Sequence, residues 1–237
     1  MIKTIPLGSL YLDGMVTAPG SCYNPGQSIR IGDSVVQNKI GWMTVNGLLV
    51  PSQCLLVDIS WDDLDEQGLV FGQEIMIDGL RFRCRLLKVG AKKQDENEWD
   101  MIRSTIGYID LRDDPGEILF WGQETFGSQS QNRMVRGFKT GCWGDNPAHA
   151  RFYNVGYLPV LEPVTTEVDD GLIGADLMIL TNGGNAVIGR LVDHSEYDLL
   201  LTDGACITGR SAAISRQRGI TAVDRSKILA IQTYERA

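Results

Sequence analysis

Short apolar pieces separated by turn-forming residues open the chain. Up to about residue 50, glycines and prolines recur between pieces such as 29–31 and 42–45. This punctuation is typical of short strands joined by turns. We therefore predict a small β segment over residues 1–53.

A buried strand and a short helix follow this segment. Residues 54–59 form a continuous apolar run bounded by turn formers, which indicates a buried strand. Ser60 can then cap a helix, and acids such as Asp62 and Asp63 are favoured in a first helical turn. The pattern predicts a helix near residues 60–66.

The next pattern is that of a β-hairpin. Residues 74–77 and 80–87 are strand-like and are separated by Asp78 and Gly79, which readily adopt the positive φ angles of a two-residue turn. In the second strand three arginines alternate with apolar residues, which predicts one solvent-facing side. We interpret Arg81, Arg83 and Arg85 as the solvent-facing side of this strand rather than as an anion site.

An acidic stretch at residues 95–103 resembles the start of a helix. Trp99, Ile102 and Ile106 follow at helical spacing. Its paired carboxylates suggest acid–base or metal chemistry, but the helix dipole alone favours acids in a first turn. We predict an amphipathic helix without a catalytic role.

A polar, acidic and non-periodic stretch at 164–171 divides the chain. Beyond it, residues 172–237 contain five or six short strand patterns with tight turns, such as the turn at 182–185. We predict a linker at 164–171 and a small β-barrel or curled sheet after it.

Composition limits the classes of protein. The 237 residues are 43% hydrophobic and 22% charged, and no apolar run approaches the length of a membrane span, so no membrane insertion is expected. The N-terminus lacks the apolar core of a signal peptide, which predicts synthesis in the cytoplasm without Sec-type export. The five cysteines include no C-x-x-C pair, which favours a reducing compartment.

Charge and missing motifs disfavour several functions. A net charge of −8 makes nucleic acid and anionic membranes unlikely partners. The two histidines, His149 and His194, stand at no metal-ligand spacing, and no G-x-S-x-G occurs. We therefore predict no catalytic residues, no cofactor and no metal site, and a protein that is not an enzyme.

Aromatic residues concentrate between Phe120 and Tyr157. This segment of 38 residues holds eight of the eighteen aromatics, interleaved with Ser, Asn, Gln and Gly. Rigid aromatic anchors combined with adaptable polar side chains are typical of binding surfaces such as antibody paratopes. We predict a ligand-binding segment in which about half of the aromatics face inward, as large aromatics often serve cores.

Several motifs support a family resemblance that covers residues 54–163, a little under half the chain. They lie at 60–64, 67–72, 83–87, 97–100, 121–125, 136–137, 141–143, 150–151 and 156–163. Together they resemble the clostridial-type C-type-lectin-fold proteins. The closing motifs are also similar, more loosely, to the variable proteins of diversity-generating retroelements and to the formylglycine-generating enzyme superfamily.

The resemblance implies a sheet with flanking helices that holds an irregular recognition segment, often in phage-encoded or surface-displayed proteins. Carried over residue by residue, it implies frame positions at Arg136, Gly137, Trp143, Arg151, Gly156 and Pro159. The ligand-binding positions would lie between them: Phe138, Lys139, Asp145, Asn146, His149, Phe152, Tyr153 and Asn154.

This chain departs from the family at two points. The usual ending has arginine where this chain has Leu158, so any ion pair of that arginine is absent. The formylglycine-generating branch needs paired cysteines or a copper thiolate site near the closing segment, where this chain has only Cys142. A lone cysteine is more often a small buried residue than a reactive one.

Residues 172–237 are similar to the two-part signature of Sm-like and SH3-like small barrels. Basic residues there could meet RNA phosphates: Arg210, Arg216, Arg218, Arg225 and Lys227. However, seven basic residues balance seven acidic ones in this part of the chain. We therefore favour a barrel for attachment or homo-oligomerisation over an RNA-binding one.

We thus predict a β-rich α+β protein with a C-type-lectin-like domain followed by a small β-barrel. Its parts are an N-terminal β segment over 1–53 that packs on the next domain, the lectin-like domain over 54–163, the linker 164–171 and the barrel 172–237. It would bind a protein or glycan ligand on a cell surface, with the protein virion-associated or displayed on a surface. The alternatives are an Sm-like RNA-associated regulator and a purely structural virion component.

Overall fold

The computed structural model describes residues 4–106, 118–127, 131–138, 141–206 and 214–234. Just over half of these residues lie in strands and about a tenth in helices, which confirms the prediction of a β-rich protein. The helices are α1 (Trp61–Glu66), α2 (Glu98–Ile106) and the 3₁₀ helices η1 (Asp170–Leu172) and η2 (Arg225–Lys227). Neither α-helix in the described part of the chain is long and apolar enough to cross a membrane.

The strands of the described residues form three sheets. In chain order they are β1 (Thr4–Leu12), β2 (Met15–Thr17), β3 (Ser21–Cys22), β4 (Ile29–Gly32), β5 (Lys39–Val45), β6 (Leu48–Pro51), β7 (Leu56–Val57), β8 (Gln73–Ile77), β9 (Leu80–Leu86), β10 (Leu119–Thr125), β11 (Asn132–Gly137), β12 (Trp143–Pro147), β13 (Val155–Tyr157), β14 (Pro159–Pro163), β15 (Asp176–Thr181), β16 (Ala186–His194), β17 (Asp198–Cys206), β18 (Ile214–Gln217), β19 (Ile220–Asp224) and β20 (Ile228–Thr233).

The first sheet has the order β2-β1-β5-β6-β14-β9-β8, with β4 also paired to β1. Strands from the predicted segment 1–53 therefore share a sheet with strands from 54–163. The predicted hairpin is confirmed: Ile77 pairs with Leu80 around a turn in which Asp78 and Gly79 have φ angles of 50° and 82°. These left-handed angles fit the type I′ turn, whose twist matches that of the flanking strands.

The second sheet is mixed and has the order β12-β11-β10-β13-β7-β3. β10 runs parallel to β13, and β3 runs parallel to β7. Gly156 is required in β13 because a Cβ there would lie 2.5 Å from the carbonyl oxygen of Leu56. A glycine at this position therefore lets β13 lie between β10 and β7.

Two apolar clusters support these sheets. The larger one includes Trp42, Trp61, Trp121 and Tyr157, all nearly or fully buried. The smaller one includes Trp99 and Ile102 on the inner face of α2, together with Phe120 and Leu158. Leu158 is thus a fully buried core residue, which accounts for its apolar side chain.

Local capping explains where the two α-helices begin. The Ser60 hydroxyl accepts a hydrogen bond from the Asp63 backbone N–H at 3.1 Å, and the Asp63 carboxylate accepts one from the Ser60 backbone N–H at 2.9 Å. This reciprocal pattern is a capping box, so the predicted helix at 60–66 is confirmed. At the second helix, the Asn97 side-chain oxygen accepts from the Asp100 N–H at 2.9 Å.

The prediction of a fully solvated arginine face on β9 is wrong for one residue. Arg81 and Arg83 are exposed, but Arg85 is only 5% exposed. Its guanidinium is covered because it pairs with Glu98 of α2, a residue 13 positions along the chain. Alternation correctly placed Arg85 on this face of β9 but could not indicate that α2 covers it.

The third sheet contains residues from 176 onwards and has the order β18-β19-β17-β16-β15-β20. It has its own apolar cluster, with Leu177, Val187, Leu199 and Val223 all fully buried. Three of its residues instead belong to the larger cluster beneath the first sheet: Met178, Leu180 and Ala230. The first and third sheets therefore share a core.

Hydrogen bonds also join the third sheet to the first. The side-chain NH₂ of Gln232 donates to the carbonyls of Arg81 and Val164, both at 2.8 Å, and the Arg81 N–H donates to the Gln232 side-chain oxygen at 2.8 Å. The Thr166 N–H donates to Ile231 O at 2.7 Å. The beginning of the predicted linker 164–171 is thus hydrogen-bonded along β20.

Candidate recognition surface

The first turn of α2 is fixed by two arginines of the sheets. The Arg85 guanidinium donates to both carboxylate oxygens of Glu98, at 2.7 and 2.8 Å, and the Lys88 N–H donates to the same group at 2.9 Å. Burial alone would raise the pKa of Glu98, but these donors outweigh it and hold the pKa below its ordinary value. Glu98 is therefore ionised at neutral pH and anchors the helix.

The second arginine, Arg136, is one of the predicted frame residues. Its side chain is 1% exposed and donates to Asp100 at 2.6 Å, to Val89 O at 3.1 Å and to Gly141 O at 3.2 Å. Its guanidinium carbon lies 4.2 Å from the centre of the Trp143 ring. Arg136 thus links α2, β11 and β12.

Arg151, another frame residue, binds the N-terminal turn of α1. It contacts the Asp63 carboxylate at 2.6 and 2.9 Å. Burial alone would raise the pKa of Asp63. The Arg151 guanidinium and the hydrogen bonds from Ser60 outweigh this effect, so the pKa lies below its ordinary value. The loop at residues 148–154 is thereby held against α1, and the Asp62 N–H also donates to Ala148 O at 3.1 Å.

An aromatic–arginine stack of Phe71, Trp61 and Arg133 lies beside this loop. The rings of Trp61 and Phe71 meet edge to face with centroids 6.0 Å apart, and the Arg133 guanidinium carbon is 4.2 Å from the Trp61 ring. Trp61 is 4% exposed, whereas Phe71 is 56% exposed. The stack therefore presents an apolar ring and a cation on a buried aromatic platform.

Two of the three residues of the stack lie in regular elements, Trp61 in α1 and Arg133 in β11, whereas Phe71 lies in the turn between α1 and β8. The Trp61 ring N–H donates to Gly122 O of β10 at 3.0 Å, and Arg133 belongs to β11. In the β11–β12 ladder, Arg133 lies opposite Asn146. Because residues paired across a ladder share a face, Asn146 is the predicted ligand-binding residue that extends the stack.

The eight predicted ligand-binding residues do not form one surface. Phe138 is 7% exposed and packs against Trp99 and Phe120, so its prediction as a contact residue is corrected to a core position. Lys139 lies outside the described residues. Asp145 and Asn146 are adjacent in β12 and therefore point to opposite faces; Asp145 accepts a hydrogen bond from the Asn132 side chain at 2.6 Å.

The other four predicted residues lie in the loop at 148–154. His149 is exposed and Tyr153 is 85% exposed, so both side chains are accessible. Phe152 is half-buried and packs on the larger core cluster. Asn154 is half-buried, and its carbonyl accepts from the Leu119 N–H at 2.8 Å. The exposed predicted residues of this loop are therefore His149 and Tyr153, and half-buried Asn146 of β12 joins them through its place beside the stack.

Sequence reasoning missed the three residues of the stack. Trp61 and Phe71 stood in motifs that carry the family resemblance, and Arg133 stood inside the aromatic segment, but none was selected. The ligand-binding residues were predicted only between the frame positions, the first of which is Arg136, and Arg133 lies before it. Only the juxtaposition of α1, β11 and residue 71 reveals the stack.

Groups that could support catalysis are few in the described part of the chain. No cluster of three His, Cys, Asp or Glu side chains within it could hold a metal ion. Cys84 and Tyr157 are paired in the core with Sγ and Oη 3.4 Å apart. Burial raises the pKa of Cys84 to about 11, so its thiol stays protonated at neutral pH.

The basic residues of the third sheet are spread over its surface. Arg216 and Arg218 are exposed on the β18–β19 hairpin, and Lys227 is exposed in η2. Arg225 instead donates to the His194 ring at 3.3 Å, while the other ring nitrogen of His194 lies 3.1 Å from Asp170. Arg210 lies outside the described residues.

Comparison with known proteins identifies no relative. No family model matches the chain, and neither a curated protein nor a solved structure matches it.

Proposed function

We propose that this protein is a non-enzymatic binding protein that recognises a protein or glycan on a cell surface. The recognition surface would comprise the aromatic–arginine stack together with Asn146, His149 and Tyr153. The observation that carries the proposal is the half-exposed Phe71 ring packed on buried Trp61, with Arg133 over the same indole. Aromatic and arginine anchors on a rigid support are the residues that dominate binding energy in interfaces.

We also propose the finer assignment of the fold. The first two sheets with α1 and α2 would form a C-type-lectin-like domain. The burial of Arg136 and its contact with Trp143, the Arg151–Asp63 pair and the restricted space at Gly156 support the frame positions that the family resemblance implies. The third sheet would form an Sm- or SH3-like barrel, supported by its short antiparallel strands and by η2 between β19 and β20.

The third sheet would serve attachment or self-association in a phage- or prophage-encoded protein. Its β20 side is covered by residues 164–166, so a partner would use the side formed by β17, β18 and β19. A cavity of about 470 Å³ opens there, lined in part by Tyr197, which is 73% exposed. An exposed tyrosine beside polar groups is typical of protein contact surfaces.

The proposed function is tested by binding of the fluorescently labelled full chain to a panel of intact bacterial cells and to a glycan array. We expect wild-type protein to bind at least one target, and Phe71→Ala and Arg133→Ala each to weaken that binding about tenfold or more. Met15→Ala is the matched control because Met15 is 73% exposed on β2 of the first sheet and is not part of the stack. Equal binding by all three variants, with unchanged thermal unfolding, would exclude the stack as the recognition surface.

A further inference from the structure

β12 ends the second sheet in the described part of the chain, since only β11 pairs with it. The direction in which its backbone N–H and C=O groups point follows from the hydrogen bonds at the two ends of the β11–β12 ladder. The Gly137 N–H donates to Cys142 O at 3.0 Å, and the Ala148 N–H donates to Gln131 O at 3.0 Å. Both pairs are in register with the ladder.

Hydrogen-bonded pairs alternate along an antiparallel ladder. Residues 142, 144, 146 and 148 therefore direct their backbone groups towards β11. The intervening residues, Trp143, Asp145 and Pro147, direct theirs away from the sheet. Proline at 147 fits this geometry because an outward position needs no N–H. The Pro147 carbonyl accepts a hydrogen bond from the Ala150 N–H at 3.0 Å. The outer edge thus offers the N–H and the C=O of Trp143 and Asp145, two donors and two acceptors in an alternating row.

The side chains beside this edge belong to the two faces already described. Asn146 lies on the face of Arg133 and Trp61, so a strand added at the edge would pass next to the aromatic–arginine stack. Trp143 lies on the opposite face, half-buried and stacked on Arg136. An added strand would therefore meet a polar and cationic surface on one side and an indole ring on the other.

We propose that the partner is a polypeptide that binds as a short extended segment, paired with the Trp143–Asp145 part of β12 as an additional strand. This inference rests on the proposed function and specifies its ligand class. A row of alternating N–H and C=O groups complements a peptide backbone, which repeats donors and acceptors at the same spacing. A glycan has no such repeat.

The length of the edge limits what can pair with it. Pro147 removes the next donor, and the charged Asp145 opposes open-ended sheet stacking; both are devices that protect natural edge strands from aggregation. The edge therefore suits one short segment rather than an extended fibril. Side-chain selectivity would come from the Asn146 side and from Trp143.

The test uses the full chain and random linear peptides displayed on phage, and the selected peptides are then synthesised. Asp145→Pro removes one outward N–H without removing a bond to β11, while Asp145→Ala keeps that N–H and removes the same carboxylate. We expect selected peptides to bind Asp145→Ala nearly as well as wild type and Asp145→Pro about tenfold more weakly or worse, the effect of one lost hydrogen bond.

A second measurement does not depend on the folding of a variant. N-methylation of alternate peptide residues removes the donors on one side of an extended strand. We expect methylation of one alternate set to abolish binding and methylation of the other to leave it within about threefold, because a bound strand pairs with β12 through one edge only. Equal effects of both sets would overturn strand addition.

The outcomes separate this inference from the proposed function. Loss of cell binding in Phe71→Ala but not in Asp145→Pro would leave the recognition surface intact and overturn strand addition. Failure to select any peptide would also overturn it. If wild-type protein dimerises in sedimentation and Asp145→Pro does not, the edge binds a second copy of the chain, which would overturn a separate polypeptide partner.

Discussion

Two carboxylates bind the Arg85 guanidinium, and they should differ strongly in their contribution to stability. Glu98 makes two contacts of 2.7 and 2.8 Å and has a side chain 16% exposed, whereas Glu162 makes one contact of 3.3 Å and is 47% exposed. Glu98→Gln keeps the shape of the side chain and removes the charge that faces a buried cation. Glu162→Gln makes the same chemical change at the solvent-facing side of the same guanidinium.

The size of the expected effect follows from burial. Breaking a buried ion pair by removing one partner costs about 3–5 kcal/mol. Gln retains part of the hydrogen bonding, so we expect Glu98→Gln to lower the free energy of unfolding by about 2–4 kcal/mol. An exposed pair contributes about 0–1 kcal/mol, which is the loss we expect for Glu162→Gln.

Urea unfolding monitored by tryptophan fluorescence measures both losses. The pH dependence adds a second readout, because the folded-state pKa of Glu98 lies below its ordinary value of 4.5. Its stabilisation is fully present above the unfolded-state pKa and is lost as pH falls through the folded-state pKa. When the pH is lowered below about 4.5, the free energy of unfolding should therefore fall less for Glu98→Gln than for wild type. Equal losses for the two variants at pH 7 would refute the assignment of Glu98 as the principal anchor.

Three further predictions concern other parts of the fold. Gly156→Ala should lower the free energy of unfolding by about 3 kcal/mol or more, since its Cβ would lie 2.5 Å from Leu56 O. Gly41→Ala should change it little, because its Cβ would meet the Ser52 hydroxyl at 3.5 Å and the Thr4 Cβ at 3.9 Å, both ordinary contacts; equal denaturation midpoints for the two variants would contradict this. Gln232→Ala should lower the free energy of unfolding by about 2–4 kcal/mol and speed amide hydrogen exchange at residues 164–166. The exposed control Gln217→Ala should do neither. Unchanged exchange in Gln232→Ala would show that this side chain does not join the sheets. In native protein, a thiol reagent should label the exposed Cys22 and Cys142 but label Cys54 and Cys84 only on unfolding; mass spectrometry of labelled peptides decides this.

Local patterns predicted local structure well. The Asp78–Gly79 turn and the Ser60 cap each depend on the conformational preference of one or two residues, and both are confirmed. The alternation of β9 also placed its arginines on one face. In each of these cases the determining interactions lie within a few positions of one another along the chain.

Contacts between distant parts of the chain were not predictable in this way. Arg85 is buried because α2 covers it, and Phe138 is buried because Trp99 of α2 and Phe120 of β10 pack on it. Within the aromatic segment, composition could not distinguish Phe138 from Tyr153. The Phe71–Trp61–Arg133 stack likewise joins residues that are 10 to 72 positions apart in the sequence.

The hydrogen bonds of Gln232 have a consequence for multivalent binding. A flexible tether lets each binding head search a volume, so its gain in avidity depends on tether length. Here β20 is bonded to residues 164–166 and to Arg81, so the third sheet is fixed to the first sheet without a free tether between it and the proposed recognition surface. Copies attached through the third sheet would present their surfaces at a fixed spacing and orientation. Such an array would favour targets whose ligands repeat at a matching distance, and it would gain little from dense ligands at other spacings.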